Sequence, residues 1–236
     1  MKPHTFTPGD PKPTGLCIVV PVLNEAQGIE ATLKALGPLR QRGARVVVVD
    51  GGSQDDTLAL ARAHADAVID SPRGRAAQMN AGAALGWGEV LLFLHADTML
   101  PERADEHLMQ ALARGHAWGR FDVRIAGRPW MLRVVAAMMN LRSRWTGIAT
   151  GDQALFMRRE AYAQVGGFAP QPLMEDIDIS KRLRAVGAPA CLRERVITSG
   201  RRWEQRGVWR TIFLMWRLRW RYWRGELAHS LAEDYR

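Results

Sequence analysis

Carboxylates, a histidine and arginines follow apolar runs at several points in this chain, and those points are where chemistry can be staged. The first apolar run, Leu16–Pro21, leads into Pro21-Val22-Leu23-Asn24-Glu25. The second, Arg45–Val49, leads into Asp50-Gly51-Gly52-Ser53-Gln54-Asp55-Asp56-Thr57. A carboxylate just past a strand end can accept hydrogen bonds from a ribose or a base. The same residues also build turns and cap helices, so each motif taken alone is equally a turn. A further apolar run ends in Leu94-His95-Ala96-Asp97-Thr98. Alternate strand residues point the same way, which lets His95 and Asp97 face one site. An aspartate there can hold Mg²⁺ or Mn²⁺ against a diphosphate, or it can begin the helix that Pro101 announces.

Two further groups carry charge in useful places. Glu175-Asp176-Ile177-Asp178 opens a helix after a Gly-Gly-Phe-Ala-Pro loop. Acidic residues favour a helix N-terminus through its dipole, and a catalytic base also needs a carboxylate at a loop edge. Glu175 and Asp178, three apart, share a helical face while Asp176 points elsewhere. Arg73-Gly74-Arg75 precedes a helix whose N-terminal amides can assist a phosphate, or it is a solvated turn. Arg201-Arg202-Trp203 can pair with a diphosphate or stack on a base, or it is a surface arginine beside a core tryptophan.

The elements that must position these groups read as strands alternating with helices. Strands are expected at Leu16–Pro21, Arg45–Val49, Ala67–Ile69 and Val90–Leu94. Helices are expected between them at Glu25–Leu36, Gln54–His64 (capped by Ser53) and Ala76–Leu85. Nearly unbroken apolar strands separated by helices imply an α/β fold, a doubly wound, mostly parallel sheet with helices on both faces. Ligands of such a sheet sit at the carboxyl ends of the strands. Beyond Arg114 the pattern loosens to strands at Trp118–Ile125, Ala154–Met157 and Ala190–Ile197, with helices at Pro129–Leu141, Arg158–Val165, Glu175–Val186 and Val208–Trp223. The expected organisation is a disordered lead-in over 1–15, a domain over 16–206 and a C-terminal helix and tail over 207–236. Within the domain, about 16–100 is the nucleotide-binding half and about 101–206 the acceptor half.

The 236 residues carry a net charge of +9, which suggests an anionic partner without choosing one. Arginines far outnumber glutamates between Arg193 and Arg224. Cys17 and Cys191 lie in apolar runs and read as buried free thiols, which makes a reducing cytoplasm the default. The proline-bearing start has no signal-like apolar segment, and no apolar stretch is long enough to span a bilayer.

Taken together, the motifs resemble family 2 of the inverting glycosyltransferases, in the short form that bacteria encode without a transmembrane tail. The order is V-P-x-x-N-E, V-V-D-x-G-S-x-D-x-T, a degenerate D-x-D as His95-Ala96-Asp97, G-D-x-x-x-F-x-R-R…G-G-F, an E-D pair and an arginine-tryptophan segment. It runs from about Leu16 to Trp203. The resemblance implies the GT-A fold and metal-dependent, inverting transfer from a nucleotide-diphospho-sugar donor to an acceptor hydroxyl. It places Asn24, Glu25 and Asp50 around the nucleobase and ribose, Arg75 on the nucleotide, and Pro21 and Gly52 among the substrate-binding residues. It makes Asp97 the ligand of Mn²⁺ or Mg²⁺, Asp176 the general base with Glu175 beside it, and Arg202-Trp203 a shortened Q-x-x-R-W element. Two departures stand out. His95 replaces the first Asp of D-x-D; it can ligate Mn²⁺ or bond a ribose hydroxyl, and suits Mg²⁺ less. Ser199 replaces the Gln, which argues against a processive polymer synthase. A nucleotidyltransferase would want a Gly-rich loop with a lysine where Asn24-Glu25-Ala26 stands, and a decayed, non-catalytic binder is the remaining alternative.

On a helical wheel of Val208–Trp223, Arg210, Arg217, Arg221 and Arg224 fall within ~60° and aromatic residues occupy much of the rest. That pattern suits a helix lying on an anionic membrane surface, at the inner face of the plasma membrane, with a lipid-linked acceptor. No nucleic-acid partner is expected.

Overall fold

A computed structural model describes residues 15–235. The expected lead-in thus lies, but for Gly15, outside the described residues. The strands are β1 Leu16–Val22, β2 Arg45–Asp50, β3 Ala67–Asp70, β4 Val90–Phe93, β5 Thr98–Met99, β6 Trp118–Ala126, β7 Phe156–Arg158 and β8 Ala190–Ser199. The helices are α1 Ile29–Ala35, α2 Gly37–Gln41, α3 Thr57–Arg62, α4 Arg75–Ala84, α5 Ala104–Ala113, α6 Met131–Thr146, α7 Arg159–Gln164, α8 Glu175–Val186, α9 Arg201–Arg206, α10 Val208–Trp223 and α11 Ala228–Tyr235.

The apolar runs pair as their two-sided burial requires. One sheet runs β3-β2-β1-β4-β7-β6-β8-β5. Every residue of β1 is buried, and alternate side chains serve opposite layers. Ile18, Val20 and Val22 join Ile29 and Leu33 of α1 and Leu108 of α5 in one core. Cys17 and Val19 join Met79 of α4 and Leu183 of α8 in the other. Gly82 lets α4 approach the sheet, since a Cβ there would meet Val19 Cγ1 at 2.4 Å. Pro21 sits inside a central strand, where a missing N–H normally costs a ladder bond. It is tolerated because β1 pairs with β4 only over Leu16–Val19, while Pro21 still faces Val49 of β2.

The sheet is mostly parallel, as expected, with two antiparallel strands. β7 runs antiparallel to both β4 and β6, and β5 antiparallel to β8. The reason is topological. β6 leaves the sheet at the carboxyl end, α6 follows without crossing back, and β7 re-enters from that same end. The loops after β1, β2, β4 and β8, and the loop before β7, therefore all gather at one edge.

Element boundaries shift for local reasons. The expected helix over Glu25–Leu36 begins at Ile29, and the segment after it restarts at Gly37, with Pro38 in the first turn of α2. Ser53 does not cap a helix; α3 begins after Asp56. The helix expected to open at Pro101 begins at Ala104, after Arg103 in the left-handed region. Cys17 is buried as expected, with burial pushing its thiol up to about 11, whereas Cys191 is only half-buried. No helix among the described residues is long and apolar enough to cross a membrane.

Candidate active site

The edge is built first by its own loops. Asp50 is buried, and its carboxylate accepts from the backbone N–H groups of Gly52 and Ser53 (2.9 Å each) and from the Ser53 hydroxyl at 2.5 Å. Asn24, held at φ 53°, accepts from the Gln54 N–H at 2.8 Å, and its own N–H donates to Ser53 Oγ at 2.9 Å. The Glu25 N–H donates to Thr57 Oγ1 at 2.8 Å. The β1 and β2 loops are thus laced together by the residues that sequence alone reads either as turn builders or as ligand contacts. Gly52 is at φ 95°, in the region that favours glycine. Pro21 lies buried below this rim.

Glu25 reaches across the edge to Arg201 of α9, 3.3 Å away. This contact ties the C-terminal segment to the loop after β1. β5 makes the same connection from below: Thr98 Oγ1 donates to Thr198 Oγ1 at 3.0 Å, and the Ser199 N–H donates to the Asp97 carbonyl at 3.2 Å. Asp97 and Arg202 are therefore fixed close together, and their charges interact. Arg202 also stacks on Tyr235 of α11, its Cζ 4.8 Å from the ring centre. Trp203 packs against the core and, with Arg128, Pro129, Glu204, Gly207 and Val208, lines a surface cavity of about 430 Å³.

β4 ends at Phe93, so His95 and Asp97 lie in a turn and strand alternation does not govern them. His95 Nδ1 lies 3.2 Å from Asp152 Oδ1. Its Nε2 faces Gly151, where a Cβ would come within 2.4 Å. Burial alone would raise the Asp152 carboxyl. The His95 hydrogen bond and the Arg75 and Arg202 guanidiniums outweigh it and hold the group below its usual range. Arg75, at the start of α4, thus converges with residues from three other loops.

At the start of α8, Asp176 accepts from the Gly151 N–H at 2.9 Å and from the Ile177 N–H at 2.7 Å. Burial raises the Asp176 carboxyl despite those two bonds. Glu175, buried beside it, is pushed up to about 7 by burial and by the Asp176 charge, with Arg75 and His95 pulling the other way. Two adjacent carboxyls that resist joint ionisation are the usual makings of a proton acceptor near neutral pH. Asp178 is separate: it pairs with Arg182 of its own helix.

Two site residues escaped the sequence reading. Asp152 stands in the G-D motif, but nothing in its spacing pairs it with His95, 57 positions away. Arg142 lies beyond the end expected for α6. Its Nε and Nη2 are buried without a hydrogen-bond partner among the described residues, within electrostatic reach of Asp176.

No group of three or more His, Cys, Asp or Glu among the described residues could cage a metal ion. That donor set fits the mode in which one carboxylate shares a hard cation with substrate phosphates and water, as Mg²⁺ commonly does. Asp97, beside the Arg75–Arg202 pair, has the right chemistry and position for it. His95 fits ligation less well, since its ring nitrogens face Asp152 and Gly151.

The family model described as glycosyl transferase family 2 matches residues 17–167. The succinoglycan biosynthesis protein ExoA of Rhizobium meliloti is 33% identical over 195 residues, covering 74% of this chain and 59% of that protein. ExoU of the same organism is 30% identical, over 75% of this chain and 58% of its own length. The chain thus spans under two thirds of the curated relatives it matches. Among solved structures, a mannosyltransferase from Pyrobaculum calidifontis in complex with GDP-Man and Mn²⁺ superposes with a TM-score of 0.62 at 24% identity, over 92% of this chain and 64% of that one. Glucosyl-3-phosphoglycerate synthase from Mycobacterium tuberculosis, with Mn²⁺, UDP and phosphoglyceric acid, gives 0.56 at 20% identity, over 76% and 68%. The fold is that of the GT-A glycosyltransferases.

Proposed function

Because the chain belongs to glycosyl transferase family 2, we propose that it transfers a sugar, with inversion, from a nucleotide-diphospho-sugar to an acceptor hydroxyl carried on a lipid, aided by Mn²⁺ or Mg²⁺. The observation that carries this reading is the convergence of Arg75, Arg202 and Asp97 with the Glu175–Asp176 pair at one edge of the sheet. Asn24, Glu25, Asp50 and Gly52, over Pro21, form the rim against which the base and ribose lie. Asp97 would hold the cation, with His95 the weaker second ligand. The bound cation supplies charge stabilisation to the departing diphosphate. Arg75 and Arg202 add fixed positive charge at the same place, and Trp203 braces Arg202 from the core side. Asp176 takes the proton of the acceptor hydroxyl as that oxygen attacks the anomeric carbon and the bond to the diphosphate breaks. One displacement inverts the centre. The enzyme works in the cytoplasm at the inner face of the plasma membrane. A thermal-shift screen of nucleoside diphosphates and their sugars, with and without Mn²⁺, tests the donor half. Absence of stabilisation by every nucleotide would sink the donor half, whereas stabilisation with no sugar transfer would favour a decayed binder, the rival that His95 favours.

The carboxyl pair gives this reading a pH signature. Glu175 holds its proton up to about 7 in the fold, against an ordinary value of 4.5. Its contribution to stability is complete below the ordinary value and is lost as pH rises through the folded one. Transfer should therefore rise with pH through the neutral range as the pair gives up its proton. Glu175→Gln, which cannot ionise, should narrow the drop in melting temperature between about pH 5 and about pH 8. A variant whose drop equals that of the wild type would show Glu175 to be an ordinary carboxylate.

A further inference from the structure

Among the described residues, exposed large apolar side chains concentrate along two helices. On α10, Trp209, Phe213, Trp216, Trp220 and Trp223 are 56–76% exposed. At ~100° per residue they fall within ~80° of one another. The face opposite is the buried one: Thr211 and Leu218, with Leu214, Met215 and Tyr222 packed partly beneath. Met215 and Tyr222 thus turn towards the domain and leave the exposed stripe to the five aromatic residues. The same arrangement recurs on α6, where Trp130, Val134, Met138, Leu141 and Trp145 are 39–79% exposed and also fall within ~80°. Leu227, just past α10, is the remaining exposed large apolar residue among those described.

The two helices belong to one region. The cavity lined by Arg128, Pro129, Gly207 and Val208 joins the approach to α6 to the start of α10. At the other end, α10 packs in a cluster that includes Ile148, just past α6, and Leu173, Met174 and Ile177 around the start of α8. The buried face of α10 therefore packs on the segment that carries Glu175 and Asp176, with the exposed stripe on the opposite side of the helix.

Charge selects the occupant. Arg210, Arg217 and Arg224 are exposed along the flank of the α10 stripe, and Arg128 and Arg133 are exposed at the start of α6. A second copy docked on this face by a two-fold axis would set arginines near arginines. A bilayer with anionic headgroups satisfies both features at once: indole rings sit at headgroup depth and guanidiniums meet phosphates. Two of the expected basic residues are partly spent inside the protein, since Arg221 pairs with Glu226 and Asp234, and Arg217 lies 3.7 Å from Asp234.

We propose that α6 and α10 together form a membrane-contact platform for an anionic lipid surface, which turns the acceptor side of the site towards the bilayer. The consequence for the acceptor rests on the lipid-acceptor reading above; the platform itself does not. The full chain should co-sediment at low salt with vesicles of phosphatidylcholine and phosphatidylglycerol, and much less with phosphatidylcholine alone. Met138→Ser with Trp145→Ser on α6, and Trp216→Ser with Trp220→Ser on α10, should each lower partitioning by about tenfold or more. Arg210→Gln, Arg217→Gln and Arg224→Gln together should erase the preference for anionic vesicles. These side chains are exposed and outside the catalytic groups, so stabilisation by nucleoside diphosphate with Mn²⁺ should persist in every variant and report intact folding. The platform is overturned if the full chain stays in the supernatant with both vesicle types, or if the α6 pair leaves partitioning unchanged. It is equally overturned if ultracentrifugation shows a dimer that the tryptophan variants dissolve while vesicles bind nothing. A chain that binds vesicles but no nucleotide would keep the platform and refute the transferase reading.

Discussion

Asp176→Asn slows sugar transfer by about 10²–10⁴-fold and leaves donor binding as it was. The side-chain swap is nearly isosteric. Its remaining oxygen can still accept the Gly151 N–H that Asp176 Oδ2 accepts at 2.9 Å, so the loop before β7 keeps its place, while the bond from the Ile177 N–H to Oδ1 is given up. What disappears is a carboxylate able to take a proton. Single-turnover transfer, compared with the nucleotide-induced thermal shift, separates the two properties. A variant that transfers at the wild-type rate has another base. One that loses folding and binding together says that the carboxylate serves the α8 N-terminus, where Glu175 and Asp178 also lie in the first turn.

The second large effect is at Asp97. Asp97→Ala removes the metal-dependent part of nucleotide stabilisation. A ligand present at a hundred times its dissociation constant stabilises a fold by about 2.7 kcal/mol, so the loss is readily seen in a melting curve. The relevant comparison is nucleoside diphosphate with Mn²⁺ against the same nucleotide with chelator. In the wild type the two differ; in the variant they coincide, because no cage of three or more His, Cys, Asp or Glu exists among the described residues to replace Asp97. A variant that still distinguishes Mn²⁺ from chelator assigns the cation to other groups, with His95 the first to examine.

The sequence revealed the fold best where one periodicity dominates. β1 and β2 are unbroken apolar runs, and α10 matches its expected bounds of Val208–Trp223. It failed where structure is short or set by distant partners. β5 has two residues and exists because β8 is beside it. The antiparallel insertion of β7 leaves no mark in its own three residues. The site follows the same division. Asp50, Asn24 and Ser53 announce a strand-end loop, but only coordinates show that they bond one another. The meeting of His95 with Asp152 depends on how the chain returns through α6. So does the burial of Arg142 near Asp176, while Asp122 takes both Arg120 and Arg144 and leaves Arg142 without a carboxylate of its own.

The Thr98–Thr198 contact also bears on how the protein acquires activity. It joins positions 100 residues apart, and the pairing of β5 with β8 depends on that closure. Closing so long a loop carries its entropic cost before any contact repays it, whereas β1, β2 and β3 pair with nearer neighbours. The parallel half should therefore assemble early in refolding, and the two rims should meet late. Regain of nucleotide binding should lag behind recovery of far-ultraviolet circular dichroism after dilution from denaturant. If the two recover together, assembly of the site is part of the same cooperative step as the sheet.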